Sequence, residues 1–481
     1  MGAYCANGLR AVVTATAVLA SGVPSALEAQ EPTVPAELTF RERPLVNEGD
    51  DGAMTSAAPG GARPVEGEPE VEPEDAALLI PRVVLTPPLV LLNAAFLPLK
   101  GLLHVAGRYK IPEHIIDILY NDERTAAVVP TFSFLGSQGP SVGFNAFHGG
   151  LGRHRERIGV SAKFGGRYVQ SYQVELTAPR VAGTPFGVEV LTSFVVEPHL
   201  RFWGYGPGDV REAAPSEPVH PRTANVESVF EQQRALIKMR AGWSFMEAID
   251  LGFIGSFNRR DFGPKVSEKD PEPSVEQVYD TSALPGFENG YSLVEPLLDL
   301  RVDTREPKGS TSGGVYFNAF GGGAPPQNGY RFIHYAAEFT GFIDLYHGDR
   351  VLALHAAHES VVGDDHEIPF ADMPRLGGPK RMRGYDLFRF RDKHTALAVV
   401  EYRWPIHEYV AGAAFFEVGS VGRDYETMAT PENYRFGGGG GLIFRSQDSE
   451  LFALQVAYGE GLQVFLTSDA LVSFSDRGEQ L

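Results

Sequence analysis

The chain reads His394-Thr-Ala-Leu-Ala-Val-Val-Glu-Tyr-Arg-Trp-Pro-Ile406 and then Gly412-Ala-Ala-Phe-Phe-Glu-Val-Gly419, and these two segments decide its fold. Apolar and polar residues alternate along both, and a period of two is typical of strands with two different faces. Glu401 and Glu417 lie on these otherwise membrane-compatible strands. Because a charge on the lipid face of a membrane strand is costly, we expect both carboxylates to face a watery lumen.

A turn with two arginines, Arg381-Met-Arg-Gly-Tyr-Asp386, precedes these strands. We interpret Arg383 as a loop arginine that folds into the lumen and is held by the inward carboxylates. A guanidinium between two carboxylates can make bidentate, charge-assisted hydrogen bonds. The alternative is an arginine on the loop surface, with lumen carboxylates that have other roles.

The same alternation continues through residues 125–474 and predicts an all-β protein, a 16-stranded antiparallel transmembrane β-barrel of the outer-membrane type. The count is even, as an up-and-down meander needs in order to close, and most segments reach the length of a tilted membrane strand. No stretch of this region is a clean apolar helix of spanning length. The predicted strands are 126–134, 140–148, 155–164, 167–178, 185–196, 227–241, 245–258, 291–303, 313–322, 329–344, 350–360, 394–405, 409–418, 434–445, 450–458 and 465–474.

Short turns alternate with three long polar connections, at 197–226, 259–290 and 361–393. Short periplasmic turns and long outer loops are the expected asymmetry of bacterial barrels. We therefore predict that both chain ends lie in the periplasm.

The N-terminal part of the sequence predicts a signal peptide for export, followed by a linker. Residues 1–29 combine Arg10, a short apolar run and a small-residue cleavage site, which is typical of a signal peptide. Residues 30–78 are acidic and rich in proline, so we expect a disordered linker. Residues 79–124 predict short amphipathic helices at the periplasmic mouth of the barrel. Residues 475–481 are expected to form a polar tail. The only cysteine, Cys5, lies in the signal, so no disulfide or Cys-ligated metal site is expected in the mature chain.

With these residues the chain resembles the BamA/TamA superfamily of outer-membrane barrels, also known as bacterial surface antigens. In that family the arginine of an outer-loop turn reaches into the lumen, where it contacts a glutamate on the following strand and an aromatic plus an aspartate on the next. The resemblance implies a lumen loop-lock here. Glu417 stands where the family usually has aspartate, which keeps the charge and lengthens the side chain. The implied lock residues are Arg383, Gly384, Tyr385, Glu401, Phe415 and Glu417.

The resemblance spans roughly residues 80–474 and is strongest at 375–422, where Arg375-Leu-Gly-Gly378 precedes the Arg-Gly-Tyr turn. It is weaker in Arg201-Phe-Trp-Gly-Tyr-Gly206, Asp303-Thr-Arg305 and the terminal strand ending at Phe474. Family members that assemble other proteins carry soluble periplasmic repeats. The segment before the barrel leaves no room for them, so the chain looks like the branch without these POTRA repeats, close to the barrels of patatin-type secreted proteins.

Other chemistry finds little support in the sequence. A net charge of -19 argues against nucleic acid as a partner. No Gly-x-Ser-x-Gly elbow is present, and we expect neither enzymatic activity nor a cofactor. His355 and His358 lie three apart on a predicted strand, so they point to opposite faces and make a poor metal site. The run Gly437–Gly441 lacks the residues of a phosphate loop and instead indicates bending or close approach of a loop.

Three functions remain open for a barrel that we expect in the Gram-negative outer membrane. The first is an insertase or translocase-like role through a seam between the first strand, 126–134, and the last, 465–474, whose polar beginning at Thr467 is consistent with weak pairing. The second is a channel plugged by its loop. The third is a structural barrel that shapes the membrane. The partners implied are outer-membrane lipid, client outer-membrane proteins and, as an open alternative, a second copy in a homodimer.

Overall fold

The computed structural model of the chain describes residues 118–467 except 124, 136–138, 153–155, 167, 210–213, 267–270, 307–310, 347–349, 408 and 446–449. The predicted signal, linker and polar tail, and most of 79–124, lie outside the described residues. In the described part of the chain, no helix is long and apolar enough to cross a membrane.

Strands dominate the described residues, and the two α-helices, α1 (Val275–Val278) and α2 (Tyr425–Ala429), are short. Single 3-10 turns occur at Val181–Gly183, Thr281–Ala283, Phe370–Asp372 and Pro431–Asn433. The strands are β1 (Ala126–Leu135), β2 (Gly139–Gly149), β3 (Arg157–Gly165), β4 (Val169–Ala178), β5 (Phe186–Phe202), β6 (Ser228–Met246), β7 (Ile249–Gly263), β8 (Tyr291–Asp303), β9 (Gly314–Gln327), β10 (Tyr330–Asp344), β11 (Val351–Val362), β12 (Arg375–Leu376), β13 (Phe390–Arg391), β14 (His394–His407), β15 (Val410–Gly422), β16 (Arg435–Arg445), β17 (Glu450–Tyr458) and β18 (Leu462–Thr467).

Sixteen of these strands form one closed antiparallel barrel, which confirms the predicted fold class. Strands β1 to β11 pair in chain order, β11 pairs β14, and β18 closes the barrel against β1. The two-residue strands β12 and β13 form a separate small sheet within the connection from β11 to β14. The sequence did not indicate this small sheet, because two residues are too few to show a period.

Several strand ends differ from their predicted positions. The long connections run 203–227, 264–290 and 363–393, because β5, β7 and β11 extend further than the alternation indicated. The strand predicted to begin at 245 begins at Ile249, since residues up to Met246 continue β6 through a register shift.

The last strand was also placed wrongly. The sequence predicted 465–474 with a polar beginning at Thr467, but β18 begins at Leu462, and Thr467 is its last described residue. The connection from β17 is the short turn Gly459-Glu460-Gly461, which leaves Leu462 free to pair with Tyr458 at once.

Side chains alternate between an apolar exterior and a lumen that holds charged groups. Val400 and Phe416 are exposed on the outer wall, whereas their chain neighbours Glu401 and Glu417 are buried. Arg240 illustrates how the lumen charges are paired, since its Nε donates to Asp299 at 2.6 Å. Buried charges need such partners, because an isolated one would be costly to desolvate.

The three long connections meet at the end of the barrel opposite Ala126 and form a cap over the lumen, defined by residues 203–227, 264–290 and 363–393. Phe202, Phe230 and Phe370 lie at its apolar centre, with Phe202 and Phe370 ring centroids 6.0 Å apart. The Tyr279 hydroxyl donates to the Val226 carbonyl oxygen at 2.8 Å, and burial raises the pKa of Tyr279 to about 12. The cap is therefore a packed unit with its own core, and it positions the loop described next.

Candidate functional site

The connection 363–393, called the long loop, descends from the cap into the lumen. Glycines with positive φ make this turn possible at Gly377 (φ 114°) and Gly378 (φ 93°), where an L side chain would be strained. A Cβ at Gly377 would also approach the Asp386 carbonyl oxygen, so the loop closes tightly on itself. The result is a compact tip that presents Arg383 to the barrel wall.

Arg383 is buried between two strands of the wall. Its Nε donates to Glu417 Oε1 at 2.6 Å, and its backbone N–H donates to Glu417 Oε2 at 2.6 Å. Its Nη1 donates to Glu401 Oε2 at 2.8 Å. Arg403 completes the group, because its Nε donates to Glu401 Oε1 at 2.7 Å. Two guanidinium groups therefore face two carboxylates, and the charges balance within the buried cluster.

Phe415 lies beneath the guanidinium group, with Arg383 Cζ 3.4 Å from its ring centroid. A cation over an aromatic face gains electrostatic attraction when both are desolvated. Phe415 and Glu417 are two apart on β15 and share its inner face. We refer to Arg383, Glu401, Phe415 and Glu417 as the Arg383 cluster.

Glycines of β16 make room for this cluster. Gly437 pairs with Glu417 and Gly439 pairs with Phe415. A Cβ added at Gly439 would lie 2.8 Å from Phe415 Cζ. A Cβ added at Gly437 would lie 3.6 Å from the Cα of Gly384. The glycine run of β16 thus forms a bare strip of wall on which the aromatic ring and the loop tip pack.

Gly384 and Tyr385 fix the tip against the last hairpin. A Cβ at Gly384 would meet the Tyr458 carbonyl oxygen at 2.7 Å, which only glycine avoids. The Tyr385 hydroxyl donates to the Phe436 carbonyl oxygen at 2.9 Å, and its ring packs 5.0 Å from that of Phe390. All six residues implied by the resemblance therefore lie in one contiguous region.

Further contacts, which the sequence did not indicate, tie the long loop to the hairpin of β17 and β18. Arg389 donates to both carboxylate oxygens of Glu460, at 2.6 and 2.9 Å. Gln463 on β18 donates to Asp386 at 3.1 Å. Glu460 also donates its backbone N–H to the Gly384 carbonyl oxygen at 3.2 Å. Each pair joins residues about seventy positions apart, a distance over which strand periodicity carries no information.

Two more segments that carry the resemblance, Arg201–Gly206 and Arg375–Gly378, lie at the same loop. Arg201 at the end of β5 pairs with Asp386 at 3.1 Å, and Gly206 forms a bridge with Arg391 of β13. Arg375 opens β12, with its guanidinium 3.9 Å from the Phe388 ring centroid. These segments therefore hold the upper part of the long loop within the cap.

A second ionic group holds the other side of the loop. Arg381 pairs with Glu359 on β11, and Glu359 is 3.1 Å from His334 Nε2. His334 Nδ1 lies 2.7 Å from Glu295 on β8. The loop is thus attached to β11 as well as to the neighbouring strands β14 and β15.

The candidate metal residues are separated. His355 lies in the lumen, 2.9 Å from Thr340, whereas His358 lies on the outer wall near Tyr425. Within the described residues no group of three or more His, Cys, Asp or Glu is placed to hold a metal ion.

The seam between β1 and β18 closes the barrel. In the described residues, which end at Thr467, the register pairs are Ser133–Thr467, Phe134–Leu466 and Leu135–Phe465.

Comparison with known protein families matches residues 154–459 to the Omp85 superfamily domain. The chain belongs to the Omp85 superfamily. This confirms the family resemblance drawn from the sequence. The narrower branch without periplasmic repeats stays a prediction. A comparison with curated proteins finds no match.

Comparison with solved structures finds similarity at low sequence identity. BamA from Haemophilus ducreyi lacking POTRA domains 1-3 is 12% identical, with a TM-score of 0.51 over 72% of this chain and 70% of that one. CdiB from Acinetobacter baumannii is 12% identical, with a TM-score of 0.45 over 71% of this chain and 59% of that one. CdiB from Escherichia coli is 10% identical, with a TM-score of 0.47 over 71% of this chain and 62% of that one. At these identities the likeness to BamA shows the fold alone.

Proposed function

We propose that this Omp85 barrel acts on other outer-membrane proteins by opening laterally between β1 and β18, in the manner of an insertase or translocase. The observation that carries the proposal is the match to the Omp85 superfamily domain in a barrel that closes between its first and last strands, β1 and β18. Separation of these two strands would expose their edges, and exposed strand edges are templates for another strand. The partners would be client outer-membrane proteins and the surrounding lipid.

The long loop supports this role as a lumen loop-lock. Its Arg383 cluster attaches it to β14 and β15, and its Glu460 and Gln463 contacts attach it to the hairpin of β18. A loop held at both places would keep the barrel wall next to the seam in register while the seam opens. The function is non-enzymatic in this proposal, and the protein resides in the Gram-negative outer membrane after export by its signal.

Engineered disulfides test the seam. Phe134→Cys and Leu466→Cys would place a pair directly across β1 and β18, where opposite residues lie close enough for a bridge. Val142→Cys and Phe164→Cys would form a matched exterior pair across β2 and β3, away from the seam. The only native cysteine, Cys5, is replaced by serine in both proteins.

Both proteins are expressed in a deletion strain, and rescue of its phenotype is scored under oxidising and reducing conditions. We expect the seam disulfide to abolish rescue until it is reduced, and the control disulfide to leave rescue intact. Full rescue by a completely oxidised seam protein would exclude lateral opening.

A loop-plugged channel is the second candidate, and the charged lower lumen favours it. Arg301 and Glu189 line this region together with the Arg240–Asp299 pair, an arrangement suited to hydrated solutes. Conductance of the purified protein in planar bilayers separates the two candidates. A channel would show stable openings that increase in Arg383→Ala, whereas a lateral gate would remain closed to ions in both proteins.

A further inference from the structure

A groove runs over the lipid-facing wall of the barrel, in the half nearest the cap. One register row crosses it from β9 to β15, in which each residue lies opposite the next. The two central members are alanines, and larger side chains stand at both edges, so the wall is concave there. The row consists of Phe317, Phe339, Ala356, Ala398 and Val418, and Tyr434 covers the far edge.

The groove is open to the membrane. Phe339 is 42% exposed, and the neighbouring outer-wall residues Leu354 and Val400 are 37% and 46% exposed. Its exposed lining is almost wholly apolar. In a protein interior, neighbouring side chains would fill a hollow of this kind, because close packing leaves few voids. On a membrane wall the filler must come from outside the barrel.

A polar cluster stands at the end of the groove nearest the cap. Ser360 and His394 form the register row four residues above the alanines, and His394 Nδ1 lies 2.9 Å from Ser360 Oγ. His358 Nε2 lies 2.8 Å from the same hydroxyl. Tyr425 of α2 leans over them, with its ring centroid 4.4 Å from that of His394. Ser360 is fully buried beneath it, while Tyr425 is 48% exposed.

We propose that this groove binds one acyl chain of a membrane lipid, whose ester group lies against His358 and Tyr425, the accessible members of the polar cluster. The observation behind it is the succession along one wall, an apolar trough followed by hydroxyl and imidazole groups at the rim. A lipid likewise has an apolar chain followed by a polar group. Tyrosine and histidine at the membrane interface present a polar tip beside an apolar body. The proposal concerns the wall away from the seam and does not depend on lateral opening.

A second copy of the chain fits this wall less well. A two-fold interface brings the same patch of both copies together, so the two concave troughs would face each other. The alanines would then remain uncovered, and no ridge would fill them. A lipid chain is flexible and narrow enough to enter the trough from the bilayer.

Native mass spectrometry of the full chain in detergent tests the site, with added palmitoyl-oleoyl phosphatidylethanolamine as the probe. We expect one lipid to remain bound at activation energies that strip the others. Ala398→Phe fills the trough and should remove this adduct. Ala146→Phe is the matched control, because Ala146 occupies an equivalent outer-wall row on β2, between Val128 and Val160. Heat-modifiable migration in gels verifies that each variant is folded.

Tyr425→Phe tests the polar end without changing the trough. Loss of one hydrogen bond should lower retention of the adduct about fivefold. The proposal would be overturned if Ala398→Phe retained the lipid adduct as well as the native protein does. It would also be overturned if Ala398→Phe and Ala146→Phe lost the adduct equally. A native dimer that Ala398→Phe dissociates would assign the groove to a second copy instead.

Discussion

At the scale of single residues, Arg383 has the most demanding environment in the lumen. Its guanidinium is buried, paired with two carboxylates and stacked on Phe415, so each neighbour depends on the same group. Removing one partner of a buried ionic cluster leaves the others uncompensated. Arg403 still compensates Glu401 after such a loss, which leaves Glu417 as the group most affected.

Arg383→Ala should therefore release the tip of the long loop. We expect a loss of about 3–5 kcal/mol in local stability, the usual cost of breaking a buried pair. Digestion of the folded protein by proteinase K should cleave the long loop faster than in the native chain. Arg423→Ala is the control, because Arg423 is 58% exposed and its pair with Asp365 should contribute little. Equal cleavage rates in the native and Arg383→Ala proteins would contradict the anchoring role.

Gly384 gives a steric test that leaves every charge in place. Gly384→Ala puts a Cβ 2.7 Å from the Tyr458 carbonyl oxygen, and overpacking of this kind costs about 1–3 kcal/mol. Gly461→Ala in the same hairpin meets nothing within 4 Å and should be neutral. Thermal loss of heat-modifiable migration measures both. A lower transition temperature for Gly461→Ala than for Gly384→Ala would show that the close approach is unimportant.

The sequence singled out the Arg383 cluster because membrane strands tolerate a charge only where it faces the lumen with a partner. Parity along β14 and β15 then placed Glu401, Phe415 and Glu417 on one side. No such sequence signal marks Glu460 and Gln463, because the turn and strand that carry them show no unusual charge or spacing. Their contacts depend on where the loop descends, and that depends on the whole barrel.

At the scale of elements, the strands were predictable and their ends were not. Alternation marks a strand wherever one face is apolar, and each of the sixteen predicted strands overlaps a strand of the barrel. Beyond the membrane zone, β5 and β7 continue towards the cap with side chains that no longer face lipid, so the pattern weakens before the hydrogen bonding stops. For β18, the short turn after Tyr458 gave no proline or long polar run to mark the start at Leu462.

The seam makes a prediction at this scale. Amides of β1 and β18 at Ser133–Leu135 and Phe465–Thr467 should exchange with solvent deuterium at least about tenfold faster than those of β5 and β6, because in the proposed function the first pair opens and the second stays closed. Hydrogen-exchange mass spectrometry in lipid nanodiscs measures this. Comparable protection at both places would remove the physical basis of a lateral gate.

At the scale of the whole molecule, the even strand count and the positions of the long connections predict orientation. The cap should lie outside the cell, and both chain ends in the periplasm, because long loops of bacterial barrels are extracellular. Cysteines introduced at Ser282, in the cap, and at Glu247, in the β6–β7 turn, sample opposite ends of the barrel. Ser56 samples the predicted linker.

An impermeant maleimide applied to intact cells should label Ser282→Cys and spare Glu247→Cys and Ser56→Cys. Permeabilised cells provide the control for reactivity, since all three should then be labelled. Labelling of Ser56→Cys in intact cells would place the predicted linker outside and refute the orientation.

The attachment of the long loop at two places has a mechanical consequence. Arg383 is held by β14 and β15, while Asp386, three residues further on, is held by Gln463 of β18. Three residues of extended chain reach at most about 10 Å. While both contacts persist, the loop is a tether of fixed length, and the upper end of β18 can swing no further from β15 than that tether allows. The number of residues between two side chains therefore limits how far β18 can move on its own side of the seam, and inserting residues after Gly384 would extend that movement without changing any residue of the seam.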